Sequence, residues 1–368
     1  MISLKKNTLF FFALVIAIIL FFGLTQEAKK PVHHEMVLQG TVVDIIKTYE
    51  TVFEQRQYIQ QELRISLPDA TTHITISSNY ILKQSPQLYE IGDHVLVGKV
   101  TDAKDNTYFL IGYDRTNILI TLGVVFVAVV ILVSRKQGLR SLLSMGFSFI
   151  VIIQFILPLI QAGYNPLFVS IAGVLLIIPI TFGLTHGMNK KTLSAMAGTL
   201  VTLLITGMIA TIVVHSSKLT GISSEEIETL FYTSDGLYNL SGLLIAGIVI
   251  GALGILDDVT ISQASVVTEL TNVTKKFSNK ELFSRSMIVG RDHIASVVNT
   301  LILVYTGAFL STLLLFLTFP RPFIVLINNE TVVIQIVIAL VGSIGLILAV
   351  PITTYIAIQL YSRIDGLQ

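Results

Sequence analysis

The chain has 368 residues, 53% of them apolar and only 13% charged, with a formal net charge of +1 and a mean hydropathy of +0.78. That composition lies outside the range of soluble domains and defines a polytopic membrane protein. Near-neutral charge, with Phe and Tyr set in apolar runs rather than among basic residues, argues against a nucleic-acid partner. The lack of cysteine excludes disulfides, thiolate metal sites and cysteine nucleophiles.

Residues 8 to 24, "TLFFFALVIAIILFFGL", form an apolar run behind Lys5 and Lys6. At 1.5 Å per residue it reaches about 26 Å, enough for one span. A cleaved signal peptide is the rival reading. The run is long for a signal core and "FFGLTQEAKK" lacks a small-residue cleavage site, so a retained anchor is expected.

Residues 25 to 115 change character. Charges recur every few positions, and "VLQGTVVDII", "RQYIQQELRISL", "THITISSNYIL", "HVLVGKV" and "TYFLIGYD" alternate apolar with polar, the period of half-buried strands. About five strands in ninety residues predict a small barrel-like domain similar to an OB-fold. No basic groove with stacking aromatics marks it for oligonucleotides.

From residue 116 the chain is apolar again, with expected spans at 117–134, 142–161, 165–184, 192–214, 238–263, 293–317 and 332–353. With the anchor they make eight. Counting Lys and Arg tests the orientation: thirteen fall in one set of alternate segments and two, Lys218 and Arg321, in the short loops of the other. Basic residues stay in the cytoplasm, so both termini are expected inside and residues 25–115 outside. The expected fold is thus an α-helical polytopic membrane protein of about eight transmembrane helices, N-in and C-in, with an inserted extracytoplasmic β-barrel-like domain. Its parts are an anchor (1–24), a β-rich domain (25–115) and a seven-helix membrane domain (116–368).

The stretch "GALGILDDVTISQASVVTEL", 251 to 270, puts two aspartates inside a membrane helix. At 100° per residue, Gly247, Gly251, Gly254, Asp258, Ser262, Ser265 and Glu269 share one narrow face, with Asp257 100° away from Asp258. Glycines on such a face let a neighbouring backbone approach. The polar groups beyond need partners, because a charge at mid-bilayer costs roughly 2.5 to 3.5 kcal/mol even on a lenient scale. The face is therefore expected to point into the bundle. No Gly or Pro interrupts 255 to 270, so the helix should run on past the aspartates.

On the next helix Asp292, Ser296, Asn299 and Thr306 also share a face, and Arg291 is a candidate counter-ion for either aspartate. Paired polar stripes are what a proton or ion relay requires. They also serve as glue between helices, and adjacent aspartates also occur where a helix end meets water; all three readings stand at this level. Pro158, Pro166, Pro179 and Pro351 lie in or beside spans and are candidate helix kinks, which suit conformational change and static packing equally, and Ser223-x-x-Glu226 is a candidate capping box for a short surface helix. The seven histidines lack metal-ligand spacing. No nucleotide-binding, hydrolase or metalloprotease motif is present, so neither an enzymatic activity nor a cofactor is expected.

The succession "LPLIQAGYNP", "GMNKKTLSAMAGTL", "LLIAGIVIGALGILDDVTISQASVVTEL" and "VGRDHIASVVNTLILVYTGA" resembles the YibE/F-like family of bacterial membrane proteins over about residues 25 to 318. The resemblance carries Gly251, Ala252, Asp258, Val259, Ser262, Ser265, Glu269 and Leu270, then Gly290, Arg291 and Asp292, then Asn299, Thr300 and Leu301. Asp257 departs from the family pattern, which more often has an apolar residue there, and so leaves open which aspartate titrates. The resemblance implies a multipass protein of the longer type, with a domain after the first span and a shorter YibF-like relative as a partner. A more distant similarity is to resistance-nodulation-division transporters, which also carry intramembrane aspartates near glycines.

The expected function is a proton- or ion-coupled secondary transporter or export component of the cell membrane, with Asp258 titrating. Asp257, Ser262, Ser265, Glu269, Arg291, Asp292, Ser296 and Asn299 would form the relay, and Gly247, Gly251 and Gly254 the packing contacts. The expected partners are membrane lipid, a small solute or ion, and either the shorter relative or a second copy. The alternative is a non-transporting scaffold that anchors the β-domain and assembles with a partner protein.

Overall fold

Alternation of apolar and polar residues builds the N-terminal sheet. In β2 (Arg56–Ser66) Gln61, Leu63 and Ile65 are buried, while Arg64 between them is exposed, as a strand with one covered face demands. The structure is a computed structural model. It describes residues 35–53, 56–67, 73–78, 81–82, 88–101, 106–233, 238–273, 277–319 and 322–365, and the expected anchor at 8–24 lies outside them. The chain divides into two compact units at Arg135.

In the first unit β1 (Glu35–Phe53) is long enough to pair on both sides. Residues 35–41 pair antiparallel with β5 (His94–Thr101), and 41–53 pair with β2. Register shifts after Val42 and Ile45 bend the strand between its two partners. β3 (His73–Ser77) and β4 (Ile81–Leu82) both pair with β2, and β6 (Asn106–Tyr113) pairs with β5. One expected strand thus becomes two. Ser78 ends β3 by donating its N–H to the Gln61 carbonyl at 2.7 Å and accepting the Gln61 N–H on its hydroxyl at 2.9 Å. The order β3-β2-β1-β5-β6 is an open sheet. Its edge strands β3 and β6 approach each other without a hydrogen-bonded ladder between them among the described residues, so the expected barrel closure is absent there. Val42, Leu63, Ile65, Ile76, Val95, Val97 and Leu110 fill its core.

Among the described residues six runs are long and apolar enough to cross a membrane, where seven were expected from residue 116 onward. The difference lies in the run Thr116–Gln161, which contains α1 (Thr116–Val151) and holds the expected spans 117–134 and 142–161 on either side of a kink. Arg135 interrupts it with φ 49° and ψ −128°, a backbone state rare for a residue with a Cβ. A π-helical turn, Ile152–Ile156, then precedes α2 (Leu157–Gln161). Pro158 has no N–H to continue the regular ladder, and a wider turn absorbs the mismatch.

The second unit takes in the rest of α1 and the following helices. Asn165 caps α3 (Pro166–His186), accepting the Leu167 N–H at 3.0 Å with Pro at the first helical position. Asn189 caps α4 (Lys190–Ser216) through the Thr192 N–H at 2.9 Å. The short helix expected near Ser223 is α5 (Glu225–Thr233). Then come α6 (Leu240–Val273), α7 (Asn279–Ala308), capped by Ser278, α8 (Leu310–Thr318), α9 (Phe323–Ile327) and α10 (Glu330–Asp365). Helices α4, α6 and α10 pack mutually, with α7 against α10 and α6, and α3 against α6. A methyl at Gly198 would overlap the Thr353 hydroxyl, and one at Gly345 the Thr206 hydroxyl. Glycine at these two positions lets α4 and α10 approach closely.

Candidate functional site

Helix α6 runs unbroken from Leu240 to Val273, so Asp257 and Asp258 lie at its midpoint, about 25 Å from either end at 1.5 Å per residue. They do not sit at a helix end. Asp257 is half-buried and Asp258 exposed. Both line a cavity of about 210 Å³ with Ser141 and Ser144 from the second part of α1, Thr181, Phe182, Thr185 and His186 from α3, and Ile261 one turn along α6. Seven of these nine residues carry a polar or ionisable group, which makes the cavity hospitable to water or a small cation.

The two aspartates differ within it. Oδ1 of Asp257 is shielded from solvent and has no hydrogen-bond partner, and among the described residues no Lys or Arg forms an ion pair with either carboxylate. A buried carboxylate without a donor, beside a second carboxylate, is a place where a small cation is stabilised. Among the described residues no three His, Cys, Asp or Glu side chains are grouped to hold a metal ion.

The face expected to point inward turns outward. Gly247, Gly251, Gly254, Asp258 and Glu269 are exposed, and Ser262 and Ser265 are half-buried. A methyl at any of the three glycines meets no atom within 4 Å among the described residues, so among these they are not close-packing positions. Ser265 spends its hydroxyl on the Ile261 carbonyl at 2.7 Å. On α7, Arg291, Asp292, Ser296, Asn299 and Thr306 are likewise exposed. Arg291 bonds the Met287 carbonyl of its own helix at 3.3 Å and pairs with neither aspartate. Of the expected relay, only Asp257 and Asp258 come together.

What fills the interior instead is a seam of hydroxyls. On α4, Thr192, Thr199, Thr202 and Thr206 are fully buried, as are Thr260 on α6, Ser286 on α7, and Thr353 and Thr354 on α10. Thr199 and Thr260 share a hydrogen bond of 2.7 Å, and the Thr260 hydroxyl donates to the Asp257 carbonyl at 3.3 Å. Gln263 links three helices, its amide donating to the Ser286 carbonyl at 3.1 Å and to the Thr354 hydroxyl at 2.7 Å. Two α7 side chains hold a buried polar atom without a hydrogen-bond partner, Ser286 with Oγ and His293 with Nε2. The threonine spacing of three and four in "TLSAMAGTLVTLLIT" was the available signal for this seam.

The fold and the cavity define a class: a helical membrane protein whose bundle holds a paired-carboxylate cavity beside a hydroxyl-rich core. More specifically, the chain belongs to the family described as YibE/F-like protein, whose model matches residues 122–363. Neither the curated proteins nor the solved structures contain a match to it.

Proposed function

We propose that the protein is a proton- or ion-coupled secondary transporter, or an export component, of the bacterial cytoplasmic membrane, in which Asp257 takes up and releases the coupling cation. The observation that carries this reading is the shielded, unpartnered carboxylate oxygen of Asp257 in a polar cavity. Asp258, exposed at the same cavity, gathers cations from the adjoining water, and Asp257 holds one where neutralising the charge stabilises the packed helices. The bias of Lys and Arg toward one set of loops supports cytoplasmic termini, with residues 25–115 outside.

The outward polar and glycine faces of α6 and α7 favour a second reading. In it the bundle is a scaffold that anchors the sheet domain and docks a partner, either a shorter family member or a second copy. Proton uptake into vesicles loaded with a pH-sensitive dye separates the two. Transport predicts that Asp257→Asn slows uptake roughly tenfold or more, with a smaller effect from Asp258→Asn. Wild-type uptake in Asp257→Asn would leave the scaffold.

A further inference from the structure

Among the described residues six buried side-chain polar atoms have no hydrogen-bond partner: Thr202 Oγ1, Asp257 Oδ1, Ser286 Oγ, His293 Nε2, Ser343 Oγ and Thr353 Oγ1. Their distribution is uneven. All six belong to α4, α6, α7 and α10, the four helices that pack on one another, and none to the sheet. There the buried Gln61 satisfies both the N–H and the C=O of Tyr89, at 2.8 and 3.0 Å. Native proteins pair nearly all such atoms with protein or with ordered water.

Five of the six atoms can be placed along the bundle, and Asp257 adjoins them through Thr260, whose hydroxyl meets both the Asp257 carbonyl and the Thr199 hydroxyl. Gln263 brings Ser286 level with Thr354, and Thr353 lies against Gly198, one turn before Thr202. Gly290 packs on Val350, and His293 follows on α7 three residues later. Thr206 lies against Gly345, two residues from Ser343. From Thr199 to Thr206 this covers about 11 Å of α4, and from Thr192 about 21 Å, a large part of the ~30 Å hydrocarbon thickness.

We propose that this seam is a hydrated proton path, in which the open hydroxyls and His293 bind a file of water molecules that joins the Asp257 cavity to the far side of the bundle. The inference rests on the transport reading above and deepens it by naming the route and the ion. Each hydroxyl is both donor and acceptor, and neutral imidazole has one nitrogen of each kind. A proton therefore passes by each site accepting one and releasing another, with no net change along the file. A merely structural seam would have its hydroxyls turned onto carbonyls of their own helices, as Thr206 and Thr354 are at 2.9 and 2.7 Å, and would need no water.

The test uses the full chain in phosphatidylcholine vesicles, with water as the probe. Under a brief X-ray pulse, bound water generates hydroxyl radicals that oxidise adjacent side chains. Leu203 and Leu346, buried beside the seam, should be labelled several times faster than Ile177 and Ile180, which are equally buried in α3. Equal rates overturn the proposal. In the same vesicles the isosteric double variant Thr202→Val/Thr353→Val should keep wild-type thermal stability and slow proton uptake at least tenfold. Unchanged uptake in that variant, with uptake lost in Asp257→Asn, overturns the path and leaves the transport reading. Wild-type uptake in Asp257→Asn refutes the transport reading itself.

Discussion

Gly198→Ala and Gly251→Ala are the same chemical change in two membrane helices, and the structure assigns them opposite consequences. A Cβ at Gly198 overlaps the Thr353 hydroxyl and lies 3.2 Å from the Thr353 Cα. The hydroxyl can rotate, but the backbone atom cannot, so α4 and α10 must separate. A Cβ at Gly251 meets nothing within 4 Å. Replacing helical glycine by alanine favours the helix by about 1 kcal/mol in both cases, so the difference between the variants isolates the overpacking, about 1–3 kcal/mol. Equilibrium unfolding in mixed micelles titrated with dodecyl sulfate, followed by circular dichroism, measures it. Gly251→Ala should be as stable as wild type or more so, and Gly198→Ala less stable than Gly251→Ala by that margin. Equal stabilities, or the reverse order, would mean that the inward and outward faces have been assigned wrongly.

Three other expectations follow from hydrogen bonds outside the bundle core. Gln61→Leu keeps volume in the sheet core but strands the Tyr89 N–H and C=O, costing about 1–3 kcal/mol, read as faster amide exchange across β1 and β2 in the full chain. The Asp114 carboxylate is held below its ordinary value of 3.8 by hydrogen bonds from the side chain and backbone of Thr116, with a lesser one from Gln39. A depressed folded-state value means that this contribution is complete above the ordinary value and is lost as pH falls through the lower one. The protection factor of the Thr116 amide, its exchange rate set against the intrinsic rate at the same pH, should therefore be high at neutral pH and fall in acid, and Asp114→Asn should flatten that dependence. Glu330 accepts from the Thr220 N–H, the Thr220 hydroxyl and the Gly221 N–H at 2.6, 2.8 and 3.1 Å. Glu330→Ala should speed exchange at Thr220 and Gly221 roughly tenfold, about 1.4 kcal/mol, and no change would show that the clasp is not formed in solution.

The strands and most of the helices were legible along the chain, because a two-residue alternation or a run of twenty apolar residues is a local property that survives in any tertiary setting. The same holds for the unbroken course of α6 through 255–270, where no residue breaks a helix, and for the family motifs. Closure of the sheet was not legible, since it depends on where β3 and β6 end in space. The sharp kink at Arg135 between two expected spans was likewise a backbone matter.

The helix faces show the limit most clearly. Helical periodicity fixes the angle between Asp257 and Asp258 but leaves the rotation of α6 about its own axis undetermined. In water the apolar face of a helix settles that rotation. In a bilayer both lipid and core are apolar, so small side chains and interhelical hydrogen bonds decide instead. The sequence determined that two carboxylates stand at the middle of a membrane helix with polar and glycine residues around them. Only the tertiary structure decided that the threonine stripe of α4 occupies the interior, turning the glycine stripe of α6 outward and Asp257 rather than Asp258 inward, because Gly198, Thr199 and Thr206 fit against α6 and α10 at a distance that larger side chains would forbid.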